Sequence, residues 1–176
     1  MLQICSTQKI LNCFFREPTR KHSLKEISKK SKIAHTSAKK ILNELVKEKI
    51  VILEKEIRGK RIFPIYFANL EGEYYKKLKK INNLKEIIEG KLVEKIEDEF
   101  MPKSIVLFGS YSKGEDIESS DIDIFVESEG SEIDLKKFEN KLFRKVNLYF
   151  GNLKKLNKNL KENILNGIVL EGFIEL

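Results

Sequence analysis

The chain has 176 residues, of which 41% are hydrophobic and 35% charged, and a formal net charge of +7. This length allows one domain or two small ones. No apolar run approaches the ~18 residues that a membrane span needs, and the N-terminus lacks a signal-peptide pattern, so we expect a cytoplasmic protein with no membrane partner.

Cys5 and Cys13 are predicted to lie in one helix, too far apart for a disulfide, and to remain reduced. His22 and His35 are interpreted as surface polar residues.

The charge is unevenly distributed along the chain. Residues 1–70 contain 16 Lys and Arg against 6 Asp and Glu, a net charge of +10, whereas residues 104–176 contain 10 against 13, a net charge of −3. A basic segment joined to an acidic one favours nucleic-acid binding at one end and metal binding at the other.

The first 70 residues predict three helices followed by a hairpin. Apolar residues at helical spacing predict a helix over 2–15, which Glu17-Pro18 ends. Ser23 is the predicted N-cap of a second helix that runs to about Lys30, with Glu26 as its capping-box partner. A third helix is expected from Thr36 or Ser37 to Lys49. The β-rich segments 50–57 and 61–67 then form a hairpin around a basic turn.

This order of elements resembles winged-helix DNA-binding domains in general, and the resemblance implies a winged helix-turn-helix domain over residues 1–69. The third predicted helix, which is the second helix of the helix-turn-helix, would enter the major groove, while the hairpin reaches phosphates or the minor groove. The alternatives are a solvated lysine-rich surface and a protein-interaction module. Lys outnumbers Arg, which favours phosphate contacts over reading of bases. The candidate DNA-binding residues are Thr36, Ser37, Lys39, Lys40, Asn43, Arg58, Lys60 and Arg61.

Residues 70–102 predict a helical connector. Apolar residues recur at intervals of three or four, and Asn82-Asn83 and Gly90 mark possible breaks. The apolar stripe is either a spacer that packs along both domains or the seam of a homodimer, and we favour the homodimer.

The acidic segment contains a Gly-Ser turn and two alternating acids. Strands are predicted over 105–108 and 121–126. On a strand, Asp121 and Asp123 share one face while Ile122 and Ile124 take the other, and the two Cα atoms lie roughly 6–7 Å apart. Both carboxylates can then reach one cation. Gly109 permits a sharp turn after the first strand, and Ser110 offers a hydroxyl and a backbone N–H to phosphate oxygens.

The stretch GSYSKGEDIESSDID, Gly-Ser followed by ten residues and Asp-x-Asp, resembles the minimal nucleotidyltransferases of the DNA polymerase beta superfamily. The resemblance covers roughly residues 100–176. It implies transfer of a nucleoside monophosphate from a nucleoside triphosphate to an acceptor hydroxyl on a protein or an RNA end, and some members act as antitoxins by modifying a partner toxin. It also implies that Gly109, Ser110 and Lys113 bind the triphosphate and that Asp121 and Asp123 hold Mg²⁺ as catalytic residues.

In that family a third Asp or Glu normally stands on the next central strand. Here the strand predicted over 145–150 carries Asn147 at the aligned position, so we include Asn147 as a metal ligand without charge. An amide oxygen can ligate Mg²⁺ but lowers metal affinity and the activation of the hydroxyl.

Two functions therefore remain open. One is a Mg²⁺-dependent nucleotidyltransferase that also binds DNA. The other is a catalytically impaired nucleotidyltransferase fold that acts as a DNA-binding transcriptional regulator or an antitoxin-like protein. The predicted fold is α+β: a winged helix over 1–69, a helical connector over 70–102, and a nucleotidyltransferase-type mixed sheet over 103–176 with helices on one face.

Overall fold

A computed structural model describes residues 5–59, 61–130 and 132–175, with the backbone alone at Arg58. The chain forms two compact units, Met1–Lys77 and Leu78–Leu176. The boundary between them falls within the helix Glu73–Gly90.

Three helices and a three-stranded antiparallel sheet form the first unit. In the sheet, the third strand lies between the other two. The elements are α1 (Ser6–Arg16), β1 (His22–Ser23), α2 (Leu24–Ser31), α3 (His35–Lys47), β2 (Val51–Arg58) and β3 (Arg61–Ala68).

The start of α2 confirms the predicted capping box. The Ser23 hydroxyl accepts a hydrogen bond from the Glu26 backbone N–H at 3.3 Å, and Glu26 Oε2 accepts one from the Ser23 backbone N–H at 2.8 Å. Two backbone donors that a helix start leaves unpaired are thereby satisfied.

The interpretation of His22 as a surface residue is wrong. Its side chain is fully buried and meets the ring of Phe14 edge-on, with the ring centroids 5.6 Å apart. The reason is strand pairing, because β1 places His22 opposite the buried Tyr66 of β3. His35 is exposed, as expected.

The segment predicted as a connector forms α4 (Glu73–Gly90) and α5 (Leu92–Phe100). The two helices separate at Lys91, whose φ is +61°. Asn82 and Asn83 do not interrupt α4, because both are buried within it. Among the described helices, none is long and apolar enough to cross a membrane.

A four-stranded mixed sheet organises the second unit. Its strands are β4 (Ser104–Phe108), β5 (Ile122–Val126), β6 (Val146–Phe150) and β7 (Ile168–Gly172), in the order β6-β5-β4-β7. β5 and β6 are parallel, and the other pairs are antiparallel. The C-terminal segment Ile168–Gly172 forms β7 and pairs with β4. The remaining elements are α6 (Gly109–Lys113), α7 (Lys136–Leu142), a 3₁₀ turn (Leu153–Lys155) and α8 (Lys158–Leu165).

The prediction that helices cover one face of this sheet is wrong. Ile105 and Leu107 of β4 pack with residues of α4, α5 and α7 on one face. Val106 and Phe108 pack with the 3₁₀ turn and α8 on the other. Because β4 lies inside the sheet and is covered on both sides, all five of its residues are buried.

Candidate active site

The turn between β4 and α6 is built around Gly109. Its φ is +74°, a conformation that costs little only for glycine. A Cβ added there would lie 2.6 Å from Asp123 Oδ2, which is closer than real Cβ contacts allow. The carboxylate of Asp123 therefore lies directly against the Cα of Gly109. Glycine is needed for the turn and for the close approach of this carboxylate.

Strand register brings Asp123 and Asn147 together. Asp123 of β5 lies opposite Phe108 of β4 on one side and beside Asn147 of β6 on the other. The alternate residues Ile122 and Ile124 enter the core on the opposite face of the sheet. This alternation is the one predicted from the sequence, and it leaves the polar residues on the face that carries the Gly-Ser turn.

The Asn147 amide joins the two carboxylates. Its Nδ2 donates to Asp121 Oδ2 and to Asp123 Oδ1, each at 3.2 Å. Because both oxygens contact one nitrogen, they lie at most 6.4 Å apart, twice that distance. The amide N–H groups carry partial positive charge and lie where a cation between two carboxylates would be stabilised. Both acids and Asn147 are half-buried, so solvent reaches the group.

Tyr149 is a site residue that sequence reasoning missed. It follows Asn147 by two positions on β6 and so lies on the same face. Its hydroxyl donates to Asp123 Oδ1 at 3.4 Å, and its ring meets Phe108 edge-on at 5.2 Å. Burial, and then the negative charge of Asp123, raises the pKa of Tyr149 above its usual value. The sequence signal for Tyr149 was the alternation of side chains along β6, which places it on the same face as Asn147.

The other expected phosphate ligands lie on α6. Ser110 is half-buried in its first turn, and Lys113 is exposed at its last position. Between the described residues Lys113, Asp121 and Asp123, the structure shows no ion pair. The structure therefore brings together Gly109, both aspartates and Asn147, whereas Lys113 pairs with neither aspartate.

A buried charged cluster, also missed, anchors the ten-residue loop of the motif. Asp116 of this loop is almost fully buried and pairs with Lys79 of α4, with Oδ2 and Nζ 2.8 Å apart. Asn83, one turn further along α4, donates to Asp116 Oδ1 at 2.7 Å and to the Tyr111 carbonyl at 2.9 Å. Arg144, just before β6, lies 3.7 Å from the same carboxylate.

Burial lowers the pKa of Lys79, and the charge of Asp116 opposes that shift. The signal for this cluster was Lys79 and Asn83 at helical spacing of four. We interpreted the second of these as a helix break, whereas it is a buried partner of the loop.

The donor set fits Mg²⁺ better than a transition metal. The described residues contain no group of three or more His, Cys, Asp or Glu that could hold a metal ion. Two carboxylates and an amide offer hard oxygen ligands, and Mg²⁺ commonly takes one or two carboxylates while substrate phosphates complete its shell. The residues that could hold it are Asp121, Asp123 and Asn147.

The candidate DNA-binding residues of the first unit are exposed where they are described. Thr36, Ser37, Lys39, Lys40 and Asn43 lie on the outer side of α3, and Arg61 begins β3. Lys60 and the side chain of Arg58 lie outside the described part of the chain. The hairpin also exposes Ile57 and Ile62, which face each other across the two strands.

A family model described as a nucleotidyltransferase domain matches residues 89–170. Two proteins of Methanocaldococcus jannaschii are also similar. "Putative protein adenylyltransferase MJ1379" is 48% identical over 50 residues, which are 28% of this chain and 49% of that protein. "Putative protein adenylyltransferase MJ1215" is 41% identical over 63 residues, which are 36% of this chain and 72% of that protein. The chain thus spans about half of the first relative and nearly three quarters of the second. The family match contains the Gly-Ser turn, both aspartates and Asn147, and the chain belongs to the nucleotidyltransferase-domain family.

Proposed function

We propose that this protein transfers a nucleotidyl group from a nucleoside triphosphate to a hydroxyl of an acceptor. The nucleotide we propose to be transferred is AMP. The observation that carries the proposal is that Asp123 lies against the Gly109 turn while the Asn147 amide joins Asp123 to Asp121. Ser110 follows Gly109 in this turn, and its backbone N–H and hydroxyl are suited to phosphate oxygens. Phosphoryl-transfer sites need chiefly such positioning and charge stabilisation.

Mg²⁺ is the proposed cofactor. Asp121 and Asp123 would hold it, and Asn147 would contribute its amide oxygen after rotation about its terminal torsion, which places O and N in nearly equivalent positions. Bound there, the ion would neutralise charge on the triphosphate and lower the pKa of the acceptor hydroxyl. Gly109 leaves room for the carboxylate of Asp123, and Lys113 adds a positive charge at the edge.

The proposed acceptor is a protein side chain. The support is the name of both relatives, each of which is called a putative protein adenylyltransferase. An RNA end is the other acceptor that the family resemblance implies. A partner toxin would be one protein acceptor of this kind.

The test uses ATP labelled in the α-phosphate, Mg²⁺ and candidate acceptors, with pyrophosphate release as a second readout because water can serve as an acceptor. We expect Mg²⁺-dependent release that the Asp121→Ala and Asp123→Ala variants lose. Release that persists unchanged in both variants, or that is absent while ATP still binds, would refute the proposal.

The basic first unit supports an additional DNA-binding role. We propose that it is a winged helix whose α3 contacts DNA through the residues named above. The order of three helices and an antiparallel hairpin supports this, as do the exposed Lys39 and Lys40.

A mobility-shift assay on mixed duplexes tests the DNA-binding role. The double variant Lys39→Glu, Lys40→Glu should weaken binding, and the slope of log affinity against log salt should fall by about 2. Lys158→Glu is the matched control, since its side chain is 85% exposed in the second unit. Equal losses in the control and the double variant would contradict a specific role of α3.

Asn147 favours a second candidate function. With an amide in place of the third carboxylate, the site has less negative charge for Mg²⁺, so the unit could retain nucleotide binding with little turnover. The protein would then be a DNA-binding regulator or an antitoxin-like protein that senses a nucleotide. ATP binding that alters DNA affinity, without pyrophosphate release, would favour this function over the first.

We also propose that the protein is a homodimer. Tyr74, Ile81 and Ile88 of α4 are 52%, 66% and 56% exposed and recur every seven residues, which is the spacing of a helix-pairing seam. Ile81→Lys should convert the dimer to a monomer in light scattering, whereas Ile57→Lys, the same change at a 73% exposed hairpin position, should not. A wild-type protein that is monomeric at high concentration would contradict the proposal.

A further inference from the structure

The tyrosines of the chain differ sharply in their surroundings. Of the five, Tyr66, Tyr75 and Tyr111 are buried. Tyr74 and Tyr149 are exposed, at 52% and 38%. Of these two, Tyr149 has its hydroxyl at the candidate active site.

The position of this hydroxyl is that of an acceptor. Tyr149 Oη lies 3.4 Å from Asp123 Oδ1, and Asn147 Nδ2 lies 3.2 Å from the same oxygen. In nucleotidyl transfer the attacking hydroxyl lies beside the carboxylates that would hold the metal, where the ion would lower the pKa of the hydroxyl. A hydroxyl supplied by the chain itself already occupies that neighbourhood.

The structure also fixes the side chain in this position. β6 pairs with β5 in parallel register, so Tyr149 lies beside Phe125 on the face that carries Asp123. The edge-on contact of its ring with Phe108 restricts the ring at the end of β4, next to Gly109. Holding a reactant in place in this way removes much of the entropic cost of a bimolecular reaction.

We propose that Tyr149 is an acceptor within the same chain and becomes nucleotidylated. The inference rests on the proposed transferase function and extends it to a specific substrate group. Tyr149 Oη attacks the α-phosphorus of ATP, and an Oη–P bond forms as the anhydride bond to pyrophosphate breaks. Pyrophosphate leaves with the bonding electron pair, and the phenolic proton is released to water. The product is a tyrosine–AMP phosphodiester, and no oxidant or reductant is needed.

Peptide mapping by mass spectrometry tests the proposal on the full chain, after incubation with ATP and Mg²⁺. We expect one AMP per chain, located on Tyr149, at an initial rate per molecule that does not change with protein concentration. Tyr149→Phe should abolish the modification, and Asp123→Ala should abolish it too. Tyr74→Phe is the matched control, because Tyr74 is the other tyrosine that is exposed in the single chain and Phe keeps the ring of the proposed seam; this variant should leave the modification intact. Circular dichroism verifies that each variant is folded.

The outcomes separate this inference from the function on which it rests. Asp123-dependent pyrophosphate release, with AMP on another residue or on no residue of the chain, would overturn the role of Tyr149 and leave the transferase function standing. No pyrophosphate release and no modification, in a protein that binds ATP, would refute both. A rate per molecule that rises with protein concentration would overturn transfer within one chain.

Discussion

Gly109→Ala tests the geometry of the site most directly. The new Cβ would lie 2.6 Å from Asp123 Oδ2, so the carboxylate must move by at least 0.4 Å to reach the 3.0 Å that real contacts keep. The φ of +74° adds about 1–2 kcal/mol of backbone strain for any residue with a Cβ. Because small displacements of reacting groups are costly, we expect the transfer rate to fall by roughly 10- to 100-fold.

Gly59→Ala provides the matched control for this change. Its φ is +62°, and among the described residues other than its two chain neighbours none lies within 4 Å of the added Cβ, so Gly59→Ala carries the backbone strain without the steric conflict. Both variants should therefore lose about 1–2 kcal/mol of unfolding free energy in chemical denaturation, since that strain is common to them. Pyrophosphate release should fall in Gly109→Ala alone. A Gly109→Ala protein with the wild-type transfer rate would refute the close approach of Asp123 to this turn.

Three further predictions concern buried or paired charges. In the absence of Mg²⁺, Asn147→Asp should lower the melting temperature, because three neighbouring carboxylates then repel one another. Added Mg²⁺ should raise the melting temperature of this variant more than that of the wild type. An equal rise in both proteins would contradict a metal site at these residues. Asp116→Ala should cost about 3–5 kcal/mol in urea denaturation, because it leaves Lys79 buried without its carboxylate, and adding Lys79→Met should recover part of that loss. Burial lowers the pKa of His22 below 6.5, and the nearby Glu17 opposes this shift without reversing it. The unfolded chain therefore binds more protons than the folded chain below that value, so the free energy of unfolding should fall as the pH drops from 7 through the folded pKa of His22. His22→Leu should flatten this pH dependence when melting temperatures are measured over a pH series. A slope of melting temperature against pH that stays the same in the variant would exclude His22 as its source.

The central strands and the acids on them could be predicted because their signals are local. The alternation of Asp121, Ile122, Asp123 and Ile124 assigns faces within a single strand, whatever the rest of the chain does. The capping box at Ser23 and Glu26 likewise depends on four consecutive residues. The alignment of Asn147 with the two acids needed the family spacing in addition, and the strand register agrees with it.

What the sequence did not reveal depends on contacts between distant segments. His22 was interpreted as a surface residue because its burial depends on the pairing of β1 with β3. Asn83 was interpreted as a helix break because its contact with Asp116 is not visible in the sequence. The 3₁₀ turn and α8 have apolar residues that fit either face of a sheet, so their packing opposite α4 and α5 could not be derived from periodicity. Tyr149 was missed because its role depends on Asp123 of the neighbouring strand, which is 26 positions away in sequence.

The position of Asn147 on β6 has an evolutionary consequence. Its neighbours Val146, Leu148 and Phe150 pack into the core and fix the strand register, whereas Asn147 contacts the two aspartates on the opposite face. The identity of this residue can therefore change without repacking the core. Asn and Asp codons differ at a single base, so one point mutation separates a site with two acids from a site with three. The charge that this site presents to Mg²⁺ can thus change in one genetic step, in either direction, while the fold is kept.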